Sequence, residues 1–202
     1  MDNVQEMILM KLEKEIEDKL LQYIKKVFVN DKWDYLHSIA CVNTMKKIIA
    51  VEGGDEKVLL TTMYLHDIGY AGSLKKGYSL NDRIEAKSRH MARSVEKAKP
   101  LLEKLGYSDS EIKQIIGLIS VHDKLDELTL NEELLVLEAD SLGAIDPNVN
   151  GNRFGEKEYE RYVEIFERKR VPKFFTKTGK EILKEFACEN ELFQKYTKLF
   201  KK

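Results

Sequence analysis

Apolar residues spaced three and four apart, in one segment after another, constrain this chain more than any other feature. From Val4 they recur at Ile8, Leu12, Ile16, Leu20, Ile24 and Val27/Phe28. That is the stripe of an amphipathic helix, with Lys and Glu on its other faces. Such a helix packs on its own domain, and the same stripe could pair with a second copy as a homodimer. Further helical segments are expected from Trp33-Asp34 to Val51-Glu52, stopped by Gly53-Gly54, and from Asp55 to His66-Asp67-Ile68-Gly69, with Gly69 in a C-cap position. Asp82-x-x-Glu85 has the form of a capping box opening a helix through His90 toward Lys99-Pro100, and Ser108-x-x-Glu111 has the form of a second. Behind it Ile112, Ile115, Ile116 and Ile119 share a face. A helix from Asn131 through Asp140 to Leu142, a loop from Asn148 to Gly155, and helices over Glu156–Arg170 and Thr178–Lys201 complete the pattern.

No alternating period-2 run or hairpin signal appears, and 3 Pro and 11 Gly are few for a chain built of many tight turns. The expected fold class is all-α: one domain over residues 1–202, with an N-terminal helix in 1–30, a core in 34–146 and C-terminal helices in 150–202. A chain of 202 residues buries roughly 70% of its unfolded surface, so it needs neither disulfide nor metal merely to fold.

Composition removes several functional classes. Lys+Arg is 34 against 35 Asp+Glu, a net charge of -1. A protein living on nucleic acid by counterion release carries a positive excess, so no nucleic-acid polymer is expected as partner. No run approaches the roughly 18–20 apolar residues of a membrane span, and Met1-Asp2-Asn3-Val4-Gln5-Glu6 lacks the features of a signal peptide. Cys41 and Cys188 form no disulfide framework or CxxC pair, which suits a reducing compartment. The expectation is a soluble cytoplasmic protein without a membrane partner.

The 4 histidines, His37, His66, His90 and His122, fall on four different expected helices, each on or near the apolar face. His37 precedes Cys41, Thr44 and Ile48 by helical steps, and His122 follows Ile112, Ile115 and Ile119. One histidine on an apolar face is ordinarily a hydrogen-bonded core residue. Four of them, joined by the inward carboxylates Asp67 and Asp140, read differently. A buried carboxylate costs several kcal/mol unless it is paired or coordinates a cation, and bundle cores are where facing helices build dinuclear sites. Adjacent helical side chains point about 100° apart, so His66 and Asp67 converge only where the helix unwinds, ahead of Gly69.

The ordered set His37 … His66-Asp67 … His90 … His122 … Asp140 resembles the HD-domain superfamily of metal-dependent phosphohydrolases. The flanking residues agree: Tyr64-Leu65-His66-Asp67-Ile68-Gly69-Tyr70 resembles its core motif, Ile119-Ser120-Val121-His122-Asp123 its later His segment and Leu137-Glu138-Ala139-Asp140-Ser141-Leu142-Gly143 its terminal Asp segment. Phe174-Phe175-Thr176-Lys177-Thr178-Gly179-Lys180 is similar to a C-terminal stretch of some bacterial members. The resemblance implies an HD-type helical bundle with two neighbouring divalent ions. His37, His66, Asp67 and Asp140 would hold the first; Asp67 would bridge; His90 and His122 would hold the second. His66 and Asp67 would be the catalytic pair. Six N/O donors suit Fe, Mn, Co, Ni or Zn.

Such ions lower the pKa of a bound water from about 15.7 to about 7 and clamp the oxygens of an in-line phosphoryl displacement. The implied activity is hydrolysis of a phosphomonoester or phosphodiester of a small molecule or nucleotide. Phosphate-binding candidates are Lys75 and Lys76 after the HD motif, Arg83, Arg89 beside His90, and Lys124, with Arg83 and Lys124 preferred. Asp123 could orient an imidazole or simply end its helix. Arg153-Phe154-Gly155 and Arg161 could form a lid. Tyr70 stands where relatives that cleave cyclic dinucleotides carry Lys, and a Gly-Tyr-Pro signature is absent, which argues against that activity. The same six-ligand scaffold also hosts di-iron oxygenases, and degenerate relatives act as nucleotide sensors.

Overall fold

The computed structural model describes residues 12–75, 77–149 and 154–199. Among these the chain is all-α, with no strand. The helices are α1 (Lys14–Val27), α2 (Lys32–Glu52), α3 (Glu56–Leu65), α4 (Leu80–Lys104), α5 (Asp109–Val121), α6 (Asn131–Ile145), α7 (Glu156–Lys169), α8 (Lys177–Glu189) and α9 (Glu191–Tyr196), with 3-10 turns at Ile68–Tyr70 and Val171–Lys173. No helix of the described residues is long and apolar enough to cross a membrane.

Local chemistry explains most boundaries. Asp31 accepts from the Asp34 amide at 3.1 Å and starts α2; Asp55 does the same for Val58 at 3.0 Å and starts α3. Gly53, at φ +80°, ends α2 as the sequence indicates. Ser108 and Glu111 form the expected capping box of α5. Three boundaries depart from the sequence reading. The box that opens α4 is Ser79 with Asp82, not Asp82 with Glu85, because the hydroxyl three residues earlier meets the Asp82 amide while the Asp82 carboxylate returns to the Ser79 amide. α4 also runs through Pro100 to Lys104, carried by the buried Leu102 of its next turn. The expected last helix breaks at Asn190, whose Oδ1 accepts from the Phe193 amide while its Nδ2 donates to Ile145 O, both at 2.9 Å.

α2 and α6 lie side by side at the centre, with α3 against α2 and α5, and α4 against α5 and the Ile68–Tyr70 turn. α1 packs on α3 through the buried Leu20 and Ile24, so its stripe is covered within the chain. Val4 and Ile8 lie outside the described residues. The C-terminal helices bring Val163, Phe166, Leu183, Phe186 and Phe193 into the same core as Met45, Leu59 and Leu142.

The C-terminal Phe174–Lys180 stretch serves as a dock for Glu138. This fully buried carboxylate accepts from the Phe175 amide at 2.6 Å, the Thr176 amide at 2.9 Å and the Thr176 hydroxyl at 2.5 Å. Burial raises its pKa against the pull of those donors. Glu138→Ala would leave three donors unsatisfied, the two of Thr176 buried, a loss of about 2–4 kcal/mol. Thermal unfolding should show a Tm fall of roughly 4–16 °C; an unchanged Tm would refute this role for the contact.

Candidate metal centre

Every expected ligand reaches one place. His37 lies in the second turn of α2, His66 caps the C-terminus of α3, His90 lies within α4, His122 caps α5 and Asp140 lies on α6. All five are nearly inaccessible to solvent, as is Asp67. Asp67 leaves the helix (φ -106°, ψ 4°) immediately after His66, so the two adjacent side chains converge.

Gly69 permits this convergence, but not as a left-handed cap: its φ is not positive. A Cβ there would overlap the His90 carbonyl oxygen on α4. The missing side chain lets the HD turn lie directly on α4, where the Gly69 amide donates to Ser94 Oγ at 2.8 Å. Close backbone approach, rather than helix termination, is the reason for glycine.

The two Asp67 oxygens serve different imidazoles. Oδ2 faces His37 Nε2 at 3.6 Å and His66 Nε2 at 3.7 Å; Oδ1 faces His90 Nε2 at 3.3 Å and His122 Nε2 at 3.5 Å. Asp140 Oδ1 closes the first group, 3.1 Å from His37 Nε2 and 3.5 Å from His66 Nε2. His90 and His122 meet Nε2 to Nε2 at 3.1 Å.

The donor set fits divalent ions. His66, His90 and His122 each place Nδ1 against the carbonyl oxygen three residues earlier, at 2.9, 2.8 and 2.8 Å. A carbonyl only accepts, so these Nδ1 atoms carry hydrogen, and each ring turns its Nε2 to the centre. His66 Nε2 is buried without a hydrogen-bond partner, and His90 and His122 bring two Nε2 atoms together. Donors sharing one ion at about 2.1 Å stand roughly 3.0–3.5 Å apart, close to the separations above. Electrostatics point the same way. Burial opposes the Asp67 charge, yet His66, His122 and His90 hold its pKa well below the carboxylate range; burial likewise opposes Asp140, which Arg170, His37 and His66 hold low. Burial opposes a His37 cation, but Cys41 and Asp140 lift its pKa to about 10; His66 is raised by Asp67 and Asp140 against the same penalty. The centre demands positive charge, which protons supply at single nitrogens and a divalent ion supplies to four donors together.

The basic candidates part company. Arg83 is buried beneath the site: Nη1 meets the Asp34 carboxylate at 3.0 and 3.1 Å, and Nη2 meets Asp67 Oδ2 at 3.1 Å. Its guanidinium lies 3.2 Å from the Tyr70 ring centroid and 6.0 Å from that of Trp33. Tyr70 stacks on His90 at 4.2 Å and Trp33 on His37 at 4.8 Å. Arg83 therefore steadies Asp67 and, through two aromatic rings, one imidazole of each pair. Lys124 stands half-exposed at the lip of the cleft. Lys75 and Arg89 line a separate surface depression. Lys76 and Arg153 lie outside the described residues. Phe154 forms part of the cleft wall, and Arg161 donates to Asn81 Oδ1 at 2.9 Å.

Three participants escape sequence reasoning. Arg170, at the end of α7, donates from Nη1 to Asp140 Oδ2 at 2.7 Å and Ser141 Oγ at 2.9 Å, and from Nη2 to Asp123 Oδ1 at 2.6 Å. Nothing in the sequence separates it from the other basic residues. Lys87 binds Asp123 Oδ1 at 2.8 Å; Arg83, Lys87 and His90 follow one another at helical steps along α4, a signal open to view. Cys41, one turn beyond His37, places Sγ 3.5 Å from His37 Nε2.

Above this floor opens a cavity of about 560 Å³. His37, Asp67, Asp123 and Asp140 reach it; Trp33, Tyr70, Ile84, Phe154, Tyr162 and Phe166 give apolar walls; the rim mixes the cations Lys87, Lys124, Arg168, Lys169 and Arg170 with Asp126 and Glu127. The fold and site together define a helical bundle with a candidate metal centre beneath a cleft of mixed charge. A scan of protein-family models matches the HD domain over residues 34–145, more than half of the chain. The chain belongs to the HD-domain family, whose members are commonly metal-dependent hydrolases. Searches of curated proteins and of solved structures found no match.

Proposed function

We propose that this protein is a metal-dependent phosphohydrolase, cleaving a phosphomonoester or phosphodiester of a small molecule or nucleotide. The observation that carries the reading is Asp67, whose two oxygens divide between two imidazole pairs at the floor of a cleft that also holds Lys124 and Arg170. Divalent ions held by His37, His66, Asp67, His90, His122 and Asp140 would supply an acidified water and charge withdrawal from a phosphoryl group.

The remaining roles belong to side chains. No serine, threonine or cysteine lines the cleft among the described residues, which favours water over a side-chain nucleophile. Four carboxylates, Asp34, Asp67, Asp123 and Asp140, meet three fixed cations, Arg83, Arg170 and Lys87. Leaving the imidazoles aside, these fixed groups carry one net negative charge, and two divalent ions would make the sum positive, which suits an anionic phosphate. Arg83 is committed to Asp34 and Asp67, so it holds the bridging carboxylate in place. Lys124 and the open edge of Arg170 are the cations placed to meet substrate oxygens. Tyr70 and Trp33 keep water off the outer faces of His90 and His37.

The test is release of inorganic phosphate or a nucleoside monophosphate from a panel of phosphate esters, by protein loaded separately with Mn, Co, Ni, Zn or Fe(II). Turnover that requires metal and stops with chelator supports the reading. No release with any metal overturns it, and oxygen consumption by the iron-loaded protein would then direct attention to the oxygenase chemistry of the same scaffold.

A further inference from the structure

Asp123 divides its oxygens as Asp67 does, but between anchors and the metal centre. Oδ1 is held by Arg170 Nη2 at 2.6 Å and Lys87 Nζ at 2.8 Å. Oδ2 faces His90 Nε2 at 3.4 Å, in one cluster with His122. His90 and His122 turn Nδ1 to backbone carbonyls, so both Nε2 atoms and Asp123 Oδ2 gather at one point. A salt bridge with Lys87 and Arg170 accounts for Oδ1 alone. It leaves unexplained why the second oxygen of this buried carboxylate turns toward His90 Nε2 and the His90–His122 pair. The 3.4 Å separation lies within the roughly 3.0–3.5 Å expected for two donors sharing one ion.

We propose that Asp123 is a seventh protein ligand, giving the second ion a carboxylate of its own. The centre then has matching halves. His37, His66 and Asp140 serve one ion, His90, His122 and Asp123 the other, and Asp67 lies between. Arg170 yokes the halves by binding the outer oxygen of each terminal carboxylate, Asp140 Oδ2 and Asp123 Oδ1. The inner oxygens stay aimed at the ions, since the outer ones are fixed by hydrogen bonds to a planar, pre-organised cation. This assignment rests on the two-ion reading of the site and not on the reaction.

The test counts metal. The full chain is reconstituted with Mn(II), the bound ions are quantified by elemental mass spectrometry and titration, and the spin coupling is read by electron paramagnetic resonance. The wild-type protein should take two equivalents with an exchange-coupled spectrum. In Asp123→Asn the second equivalent should weaken by about 10–100-fold, the order found when a metal site's supporting groups are lost. The first should be unchanged, and the coupled spectrum should give way to that of an isolated ion. Two equivalents with wild-type affinity and coupling in the variant overturn the assignment, as does a wild-type protein that takes only one. Should Asp123→Asn fail to fold, Lys87→Met retains the carboxylate and removes one anchor. It should weaken the second equivalent alone, and no change there overturns the proposal. Phosphate release is not read, so a two-ion protein without turnover would sink the proposed reaction and leave Asp123 assigned.

Discussion

Asp67→Asn is expected to lose bound metal and phosphate-ester turnover together, turnover falling by about 10³-fold or more, as several kcal/mol of transition-state stabilisation disappear. The carboxylate stands within 3.3–3.7 Å of all four Nε2 atoms. An amide keeps the shape but offers one acceptor, and it turns an NH₂ group toward one half of the centre. Both halves lose charge, and one also loses its oxygen. Arg83, whose Nη2 meets Asp67 Oδ2 at 3.1 Å, is left with less compensation. The measurement pairs elemental analysis with the phosphate assay, and circular dichroism verifies that the helices persist. Two tightly held ions and undiminished turnover in this variant would dismiss Asp67 as the bridge.

Arg170→Met is expected to have the second large effect, on stability as well as on the site. Removing the guanidinium strips Asp140 Oδ2, Ser141 Oγ and Asp123 Oδ1 of their shared partner. Breaking a buried ion pair from one side costs about 3–5 kcal/mol, because the carboxylates remain behind. For a chain of this size that is a fall in Tm of roughly 6–20 °C. Arg168→Met, an exposed position on the same helix, should move Tm little. The gap between Arg170→Met and wild type should narrow on adding Mn(II), since bound ions neutralise the same carboxylates and stabilise only the folded state. Equal Tm falls for Arg168→Met and Arg170→Met, insensitive to metal, would assign Arg170 no electrostatic role. In the proposed reaction Arg170→Met should also lower turnover, because the two terminal carboxylates lose the group that orients them.

The arrangement gives the C-terminal helices a part in the site. The matched family segment ends at residue 145, yet Arg170 reaches Asp140 and Asp123 from beyond it. Glu138, two residues before Asp140 on α6, is the point where the Phe174–Lys180 stretch attaches. Loosening that dock therefore acts next to Asp140, a candidate metal ligand, as well as on the core.

What the sequence determined by itself was whatever depends on near neighbours. Apolar spacing set the helical class, since a side chain's face follows from its own position and the 3.6-residue turn. Ser108 with Glu111, and Gly53 at the end of α2, were legible because a cap is a contract among residues three or four apart. The six candidate ligands were legible as a set because four imidazoles and two carboxylates on apolar helix faces are costly to bury unless they share partners. Only the tertiary structure decided what depends on approach across the chain. It showed that Gly69 serves contact with α4 rather than helix termination, that Arg83 is bound to Asp34 and Asp67, and that Asp123 turns inward. It also selected Arg170 from 34 basic residues. A charged side chain looks the same in a sequence whether it meets water or a carboxylate 47 residues away, and desolvation, which separates those two fates, exists only once the helices have packed.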